Sequence, residues 1–183
     1  LAVYISRSSP LSIIGIFLFL IGALVAGSAF SYGAHSANLY GIGRALVYCA
    51  ASFIPLAFYA IYRQYTDRLP SPFLFAALSI VPITTTVLAI TNPMHELIWT
   101  VTQGPDGLRF ADRVDHYWLR SVHAPFVYGL FGYAALALAT RLPSIAPAHR
   151  RTVILLLFCA LLPYAVSVAN TFLGIGPADF PFL

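Results

Sequence analysis

The chain has 183 residues, of which 60 % are hydrophobic and 9 % carry a charge. Soluble globular domains contain about 25 % charged residues, so this composition excludes an ordinary soluble domain. The net charge of +4 is not a nucleic-acid signal, because the arginines are spread along the chain. Composition therefore predicts a membrane-embedded protein whose first partner is the lipid bilayer, with no nucleic-acid partner.

Five apolar segments of about the length of a bilayer crossing follow one another along the chain. A hydrocarbon layer of ~30 Å requires about 20 residues of helix. The segments are Leu11–Gly33, Gly43–Tyr62, Phe73–Asn92, Tyr117–Thr140 and Thr152–Leu173. Ser71-Pro72 predicts the start of the third, with the serine as N-cap and the proline at the first helical position. We predict an all-α polytopic transmembrane helical bundle of five complete helices, forming a single domain over residues 1–183.

Both ends of the chain have the character of partial membrane helices. Leu1–Ile5 is a short apolar run that stops before Arg7, and Phe180–Leu183 begins a new apolar run. We therefore expect fragments of one helix before the five and one after them. The parent protein would then have seven crossings, with its N-terminus outside and its C-terminus inside.

The longest connection, loop 93–116, contains a turn signal. Trp99–Gln103 and Leu108–Phe110 flank Gly104-Pro105-Asp106-Gly107, a Pro-Asp-Gly turn. This arrangement predicts a short β-hairpin within residues 99–110. An isolated two-stranded hairpin is only marginally stable, so we expect it to pack against the helix ends.

Loop charges predict how the helices are oriented. One side of the predicted bundle carries six arginines and one acid, and the other carries four arginines and five acids. Cytoplasmic loops are the ones enriched in Lys and Arg. Loops 63–72 and 141–151 are therefore predicted to be cytoplasmic, and loop 93–116 to lie outside.

Two runs at helix ends are distinctive. Thr91-Asn92-Pro93-Met94-His95 ends an apolar segment and is followed by Leu97-Ile98-Trp99, a glycine-containing turn and Tyr117-Trp118. The second run is Ile54-Pro55-Leu56-Ala57-Phe58-Tyr59, which leads into Tyr65-Thr66. These runs resemble the N-terminal seven-helix sensor region of bacterial membrane histidine kinases and of some diguanylate cyclases.

That resemblance implies a multi-pass sensory module of the bacterial inner membrane, coupled to a cytoplasmic output domain and forming homodimers. The chain itself has no kinase or cyclase motif, so we expect no enzymatic activity from it, whereas the parent would be a histidine kinase or diguanylate cyclase. The alternative is an accessory membrane subunit that packs against partner helices, lipid, pigment or haem. The two hypotheses differ in whether the gene continues into a kinase or cyclase domain.

Histidines raise the question of a cofactor. His35, His95, His116 and His123 are predicted at the outer helix ends, where they could form a metal or haem site or a pH-responsive cluster. The alternative is that they are interfacial polar residues. Cys49 and Cys159 lie within apolar segments and lack metal-ligand spacing. We therefore predict no metal and no cofactor.

The segment His116-x-x-x-Arg120-x-x-His123 gives the sharpest site hypothesis. Spacings of four and three place these side chains on one face of an α-helix. Arg120 and His123 would form the floor of an outward-facing pocket that holds an anionic or polar ligand head, or else Arg120 simply extends to the headgroups. Arg44 could join that pocket or pair with Glu96. The predicted ligand-binding residues are Arg120, His123, His116, Arg44, His95, Glu96 and Trp99.

Overall fold

The computed structural model describes residues 10–66, 71–103, 110–113 and 117–173, and most of them form long α-helices. The helices and strands are α1 (Pro10–Tyr32), α2 (Ala37–Tyr65), α3 (Pro72–His95), β1 (Thr100–Gln103), β2 (Phe110–Arg113), α4 (Ala124–Arg141) and α5 (Pro147–Leu173). A long helix thus occupies the position of each predicted apolar segment. His116, the 104–107 turn and the two predicted end fragments lie outside the described residues.

Four stretches of the described chain are long and apolar enough to cross a membrane. They are Ser12–Tyr32, Ala37–Tyr65, Pro72–His95 and Leu119–Ser144. Large apolar side chains are exposed on their outer faces, among them Phe19 on α1 and Phe73 on α3. A water-soluble protein rarely presents so much contiguous apolar surface, whereas lipid covers it without cost. The fold is therefore that of a helical membrane protein.

Serine side chains define the starts of α2 and α3. The backbone N–H of Leu74 donates to Ser71 Oγ at 3.1 Å, and α3 begins at Pro72, as predicted. The N–H of Leu39 donates to Ser36 Oγ at 3.3 Å in the same way. Because Ser36 satisfies a donor that the first helical turn leaves open, α2 begins at Ala37 rather than at the predicted Gly43.

Helix α2 is the centre of the bundle. It contacts α1, α3 and α4, while α5 packs on α4. In the most apolar part of α2, 67 % of residues are buried, against 17–39 % for the other three candidate spans. Residues on three sides of α2 therefore meet protein rather than lipid.

The close contact between α1 and α2 depends on glycine. A Cβ atom built on Gly27 would lie 2.9 Å from the carbonyl oxygen of Gly43, and one built on Gly43 would meet the backbone nitrogen of Ser31 at 2.8 Å. Ser31 turns its hydroxyl back to the Gly27 carbonyl at 2.9 Å, so it presents no donor to α2. Small residues allow two membrane helices to approach backbone to backbone, which maximises van der Waals contact.

Aromatic side chains fill the core away from the hairpin. Phe58 of α2 stacks on Phe131 of α4 with ring centroids 4.6 Å apart, and Phe17 of α1 lies 5.5 Å from Phe58. Tyr164 of α5 stacks on Phe131 at 5.0 Å and donates its hydroxyl to the carbonyl of Tyr128 at 2.7 Å. These contacts join four helices into one core.

The loop between α3 and α4 contains an antiparallel hairpin. Strand β1 pairs with β2 in the register Thr100↔Arg113 to Gln103↔Phe110. The second strand thus begins at Phe110, where the sequence-based hairpin was predicted to end. The end of the bundle that carries β1 and β2 is called the hairpin end below.

Candidate functional site

A buried polar and aromatic cluster lies at the hairpin end, centred on Tyr48 of α2. Trp99 stacks on the Tyr48 ring at a centroid distance of 5.2 Å, and His123 meets that ring edge-on at 6.1 Å. Arg44, one turn before Tyr48, donates from Nη2 to the Tyr48 hydroxyl at 3.1 Å. Arg44 and His123 are each only 3 % exposed. We call Arg44, Tyr48, Trp99 and His123 the Tyr48 cluster.

Asn92, near the end of α3, fixes Trp99 in this cluster. Its Oδ1 accepts from the backbone N–H groups of Ile98 at 2.9 Å and Trp99 at 3.3 Å, and its Nδ2 donates to the Trp99 carbonyl at 2.8 Å. The chain reverses through Glu96, which has a positive φ of 50° and closes α3 by donating its N–H to the Asn92 carbonyl. One side chain therefore holds the whole turn from α3 into β1.

A second set of hydrogen bonds joins α3 to the start of the fourth span. Trp118 Nε1 donates to Thr85 Oγ1 at 3.0 Å, and Thr85 Oγ1 lies 3.4 Å from His123 Nδ1. Thr85 is fully buried. The other ring nitrogen of His123, Nε2, is buried and has no hydrogen-bond partner within the part of the chain that the structure describes.

His123 ends a π-helical turn, Leu119–His123, that runs directly into α4. Ala124 donates its N–H to the carbonyl of Leu119, five residues earlier. Pro125 follows and has no N–H, so a regular α-helical bond is already missing at this point. Single π-helical turns within α-helices are uncommon and frequently occur at functional sites.

The structure brings three of the seven predicted site residues together: Arg44, Trp99 and His123. The expectation that Arg120 and His123 share one helical face is not met, since Arg120 is exposed and His123 is buried. The spacing rule assumed an α-helix, whereas these residues lie in the π turn, which holds more residues per turn.

His95 and Glu96 lie outside the cluster. His95 is half-buried, its Nδ1 accepts the N–H of Leu97 at 3.0 Å and its Nε2 lies 2.9 Å from Thr91 Oγ1. Both ring nitrogens are therefore used to hold the end of α3. Glu96 is exposed at the left-handed position of the turn.

Sequence reasoning missed four residues that build the site: Tyr48, Thr85, Asn92 and Trp118. Asn92 carried a signal, since a buried amide at a helix end before a Pro must find backbone partners. Thr85 differs from Ser79 and Thr91 on the same helix, which bond the carbonyl four residues earlier. Nothing in the sequence distinguishes it.

Metal ligation was one alternative for the histidines. Among the residues described, no group of three His, Cys, Asp or Glu side chains is close enough to hold a metal ion. His35 is exposed, and His95 is engaged in the turn.

Long apolar helices around a buried polar cluster near one end define a multi-pass membrane protein with a candidate functional site. The chain belongs to the family described as the N-terminal 7TM region of histidine kinase, whose sequence model matches residues 1–182. It is accordingly a membrane sensory module of the kind that histidine kinases couple to a cytoplasmic output domain. Comparisons with curated proteins and with solved structures give no match.

Proposed function

We propose that this module binds a small-molecule or lipid-like signal at the Tyr48 cluster, near the outer leaflet, and relays it to the cytoplasmic output domain. The observation that carries the proposal is His123 Nε2, a polar atom that is buried at the hairpin end without a hydrogen-bond partner in the described chain. A buried polar atom without a hydrogen-bond partner costs free energy, and a ligand that bonds to it would remove that cost. Family membership favours this function over that of an accessory subunit.

Within the site, we propose that Arg44, Trp99 and His123 contact the ligand directly. Arg44 supplies charge, Trp99 a rigid apolar wall, and His123 a directional hydrogen bond. Arg120, exposed at the start of the fourth span, would lie at the entrance together with His95 and Glu96; His116, also a predicted ligand-binding residue, lies outside the described residues. These outer residues would attract or admit a polar ligand rather than hold it.

The proposed relay runs through the π turn and α4. A π turn can convert to an α turn by shifting its hydrogen bonds by one residue, which rotates the following helix relative to the preceding segment. His123 is the last residue of the π turn, and α4 extends from Ala124 to Arg141 at the far end of the bundle. A ligand that prefers one of the two forms would therefore shift their populations and move Arg141.

The proposed orientation places the hairpin end outside and the loops 63–72 and 141–151 in the cytoplasm. The arginine count on the two sides supports it. Single cysteines at Gln103 and at Ser144, in a C49A/C159A background, distinguish the two orientations. A membrane-impermeant maleimide should label the first in intact cells and the second only after permeabilisation. The opposite pattern would move the site to the cytoplasmic side.

We further propose that α5 is a fifth membrane span and that the module acts as a homodimer. Exposed apolar side chains along α5, such as Leu155 and Phe158, support the membrane location. The family resemblance supports the dimer. Native mass spectrometry of the full-length protein in nanodiscs should show a mass of two chains, and a monomer alone would contradict the dimer.

The function is tested on the full-length kinase reconstituted in liposomes. Replacing His123 with leucine should change autophosphorylation several-fold, because the cluster sets the resting state of α4. The matched control is H149L, since His149 is exposed at the start of α5, away from the hairpin. If H123L folds and phosphorylates like H149L and like the unmodified protein, the cluster has no sensory role.

A further inference from the structure

The hydrogen bonds at the end of α3 determine the protonation state of His95. Thr91 Oγ1 donates its one hydrogen to the Val87 carbonyl at 2.7 Å, so in its 2.9 Å contact with His95 Nε2 it can only accept. His95 Nδ1 accepts the backbone N–H of Leu97 at 3.0 Å. His95 therefore carries its hydrogen on Nε2 and offers a lone pair on Nδ1, which is the neutral imidazole.

A second proton is incompatible with this arrangement. It would bind at Nδ1, and the new N–H would then point at the Leu97 N–H across the 3.0 Å that the hydrogen bond now spans. The Leu97 side chain is 54 % exposed, so water can reach this turn and take over the released N–H. The carbonyl end of a helix favours a positive charge, so α3 itself tolerates the protonated ring. Protonation therefore opens the turn without breaking the helix.

The structure describes no charged partner that would hold His95 in one state. Both of its hydrogen bonds within the described residues go to uncharged groups, those of Thr91 and Leu97. The other charged residues and histidines whose side chains the structure describes at the hairpin end are Glu96, beside it in the turn, His35, Arg44, Arg120 and His123. None of these forms a described hydrogen bond or ion pair with His95. Its charge therefore depends on the solution and on the turn.

The turn from α3 into β1 has two side-chain anchors. Asn92 holds the buried half through the N–H groups of Ile98 and Trp99, and His95 holds the exposed half through the N–H of Leu97. An amide side chain does not change charge with pH, whereas an unperturbed imidazole does so between about pH 5 and pH 8. The anchor next to Ile98 is thus the one that acidification can release.

We propose that His95 is a proton-sensitive latch, through which the module responds to acidification on the hairpin side. Neutral His95 closes the turn that carries Trp99, and protonated His95 releases Leu97 and shifts the turn toward an open form. Because the closed form needs the lone pair on Nδ1, its stability is present at high pH and is lost as the pH falls. The proposal goes beyond the proposed function, since His95 lies outside the Tyr48 cluster and the signal is a proton.

The latch is tested by amide hydrogen exchange of the full-length protein in nanodiscs. Exchange is measured at about pH 8 and about pH 5, the limits of the range in which an imidazole changes charge, with labelling times scaled to the intrinsic exchange rate. Protection of the peptide that contains Leu97 should fall about tenfold, the factor that corresponds to one hydrogen bond of ordinary strength. Protection in the middle of α3 should stay constant.

Four variants connect this loss to His95. H95N should keep the turn closed at both pH values, because an asparagine oxygen can accept the N–H two residues later and does not titrate. H95K should leave the turn open at both, since an ammonium has no lone pair to offer. H35N, which changes an exposed histidine at the same end, and E96Q, which removes the neighbouring carboxylate, should both retain the pH dependence.

Unchanged protection between the two pH values, or an equal loss in H95N, would overturn the latch. The response is then measured as autophosphorylation in liposomes with the pH lowered on the hairpin side alone. It should change in the unmodified protein and in H35N and stay constant in H95N. A turn that opens through His95 without any change in autophosphorylation would overturn proton sensing. Neither result bears on the ligand site, which the H123L comparison tests at constant pH.

Discussion

Replacing Asn92 with alanine should loosen the turn from α3 into β1 while leaving α3 itself intact. Alanine is the strongest helix former, so the end of α3 loses nothing in helix propensity. The substitution removes all three hydrogen bonds from the side chain to the backbone of Ile98 and Trp99. Trp99 would lose its anchor and, with it, the stacking position on Tyr48.

The expected magnitude comes from those three bonds. Each contributes a net of about 0.5–1.5 kcal/mol, so the loss is about 1.5–4.5 kcal/mol. The loss should lie in the upper half of that range. Ile98 and Trp99 are almost completely buried, so water cannot replace the hydrogen bonds that their backbone groups lose. N92D should be no milder: it keeps the acceptor oxygen but turns a second oxygen toward the carbonyl of Trp99.

The assay combines thermal unfolding in nanodiscs with amide hydrogen exchange. N92A should lower the unfolding temperature and speed exchange at Ile98 and Trp99, while exchange in the middle of α3 stays slow. N38A is the matched control, since Asn38 is exposed in the first turn of α2. If N92A and N38A unfold together and exchange alike at Ile98 and Trp99, Asn92 does not hold the turn.

Three further predictions concern other parts of the bundle. G43A should destabilise the protein by about 1–3 kcal/mol, because a Cβ there meets the backbone of α1, whereas G41A has open space; equal unfolding temperatures would contradict this packing. Y164F should cost about 0.5–1.5 kcal/mol through loss of its bond between α5 and α4, so an unchanged unfolding temperature would show that the bond contributes nothing. R120A should leave autophosphorylation close to that of the unmodified protein, unlike H123L, because Arg120 is exposed and His123 is buried; an equal change in the two variants would place Arg120 in the site itself.

The sequence alone determined the existence and approximate positions of the helices. A bilayer demands about 20 apolar residues per crossing, and such a length is visible without any tertiary information. Two local structures were also predictable from the sequence. Ser71-Pro72 predicted the start of α3, and the Pro-Asp-Gly segment predicted a hairpin. The motif around Asn92 indicated the family.

The tertiary structure decided which faces of the helices meet protein. In a soluble protein, apolar periodicity separates core from surface, but lipid and protein interior are both apolar, so the pattern carries little of that information here. Nothing in the sequence marked α2 as the central helix. For the same reason, Phe58 in the core and Phe73 on the surface look alike in the sequence.

The tertiary structure also decided which residues form the site. Arg44, Trp99 and His123 were recognisable one by one as polar or aromatic residues near helix ends, but their meeting around Tyr48 depends on how three separate segments pack. The separation of Arg120 from His123 depends on a π turn, which shifts every later side chain around the helix axis. Sequence spacing assumes a regular helix, and only the packed structure shows where that regularity is broken.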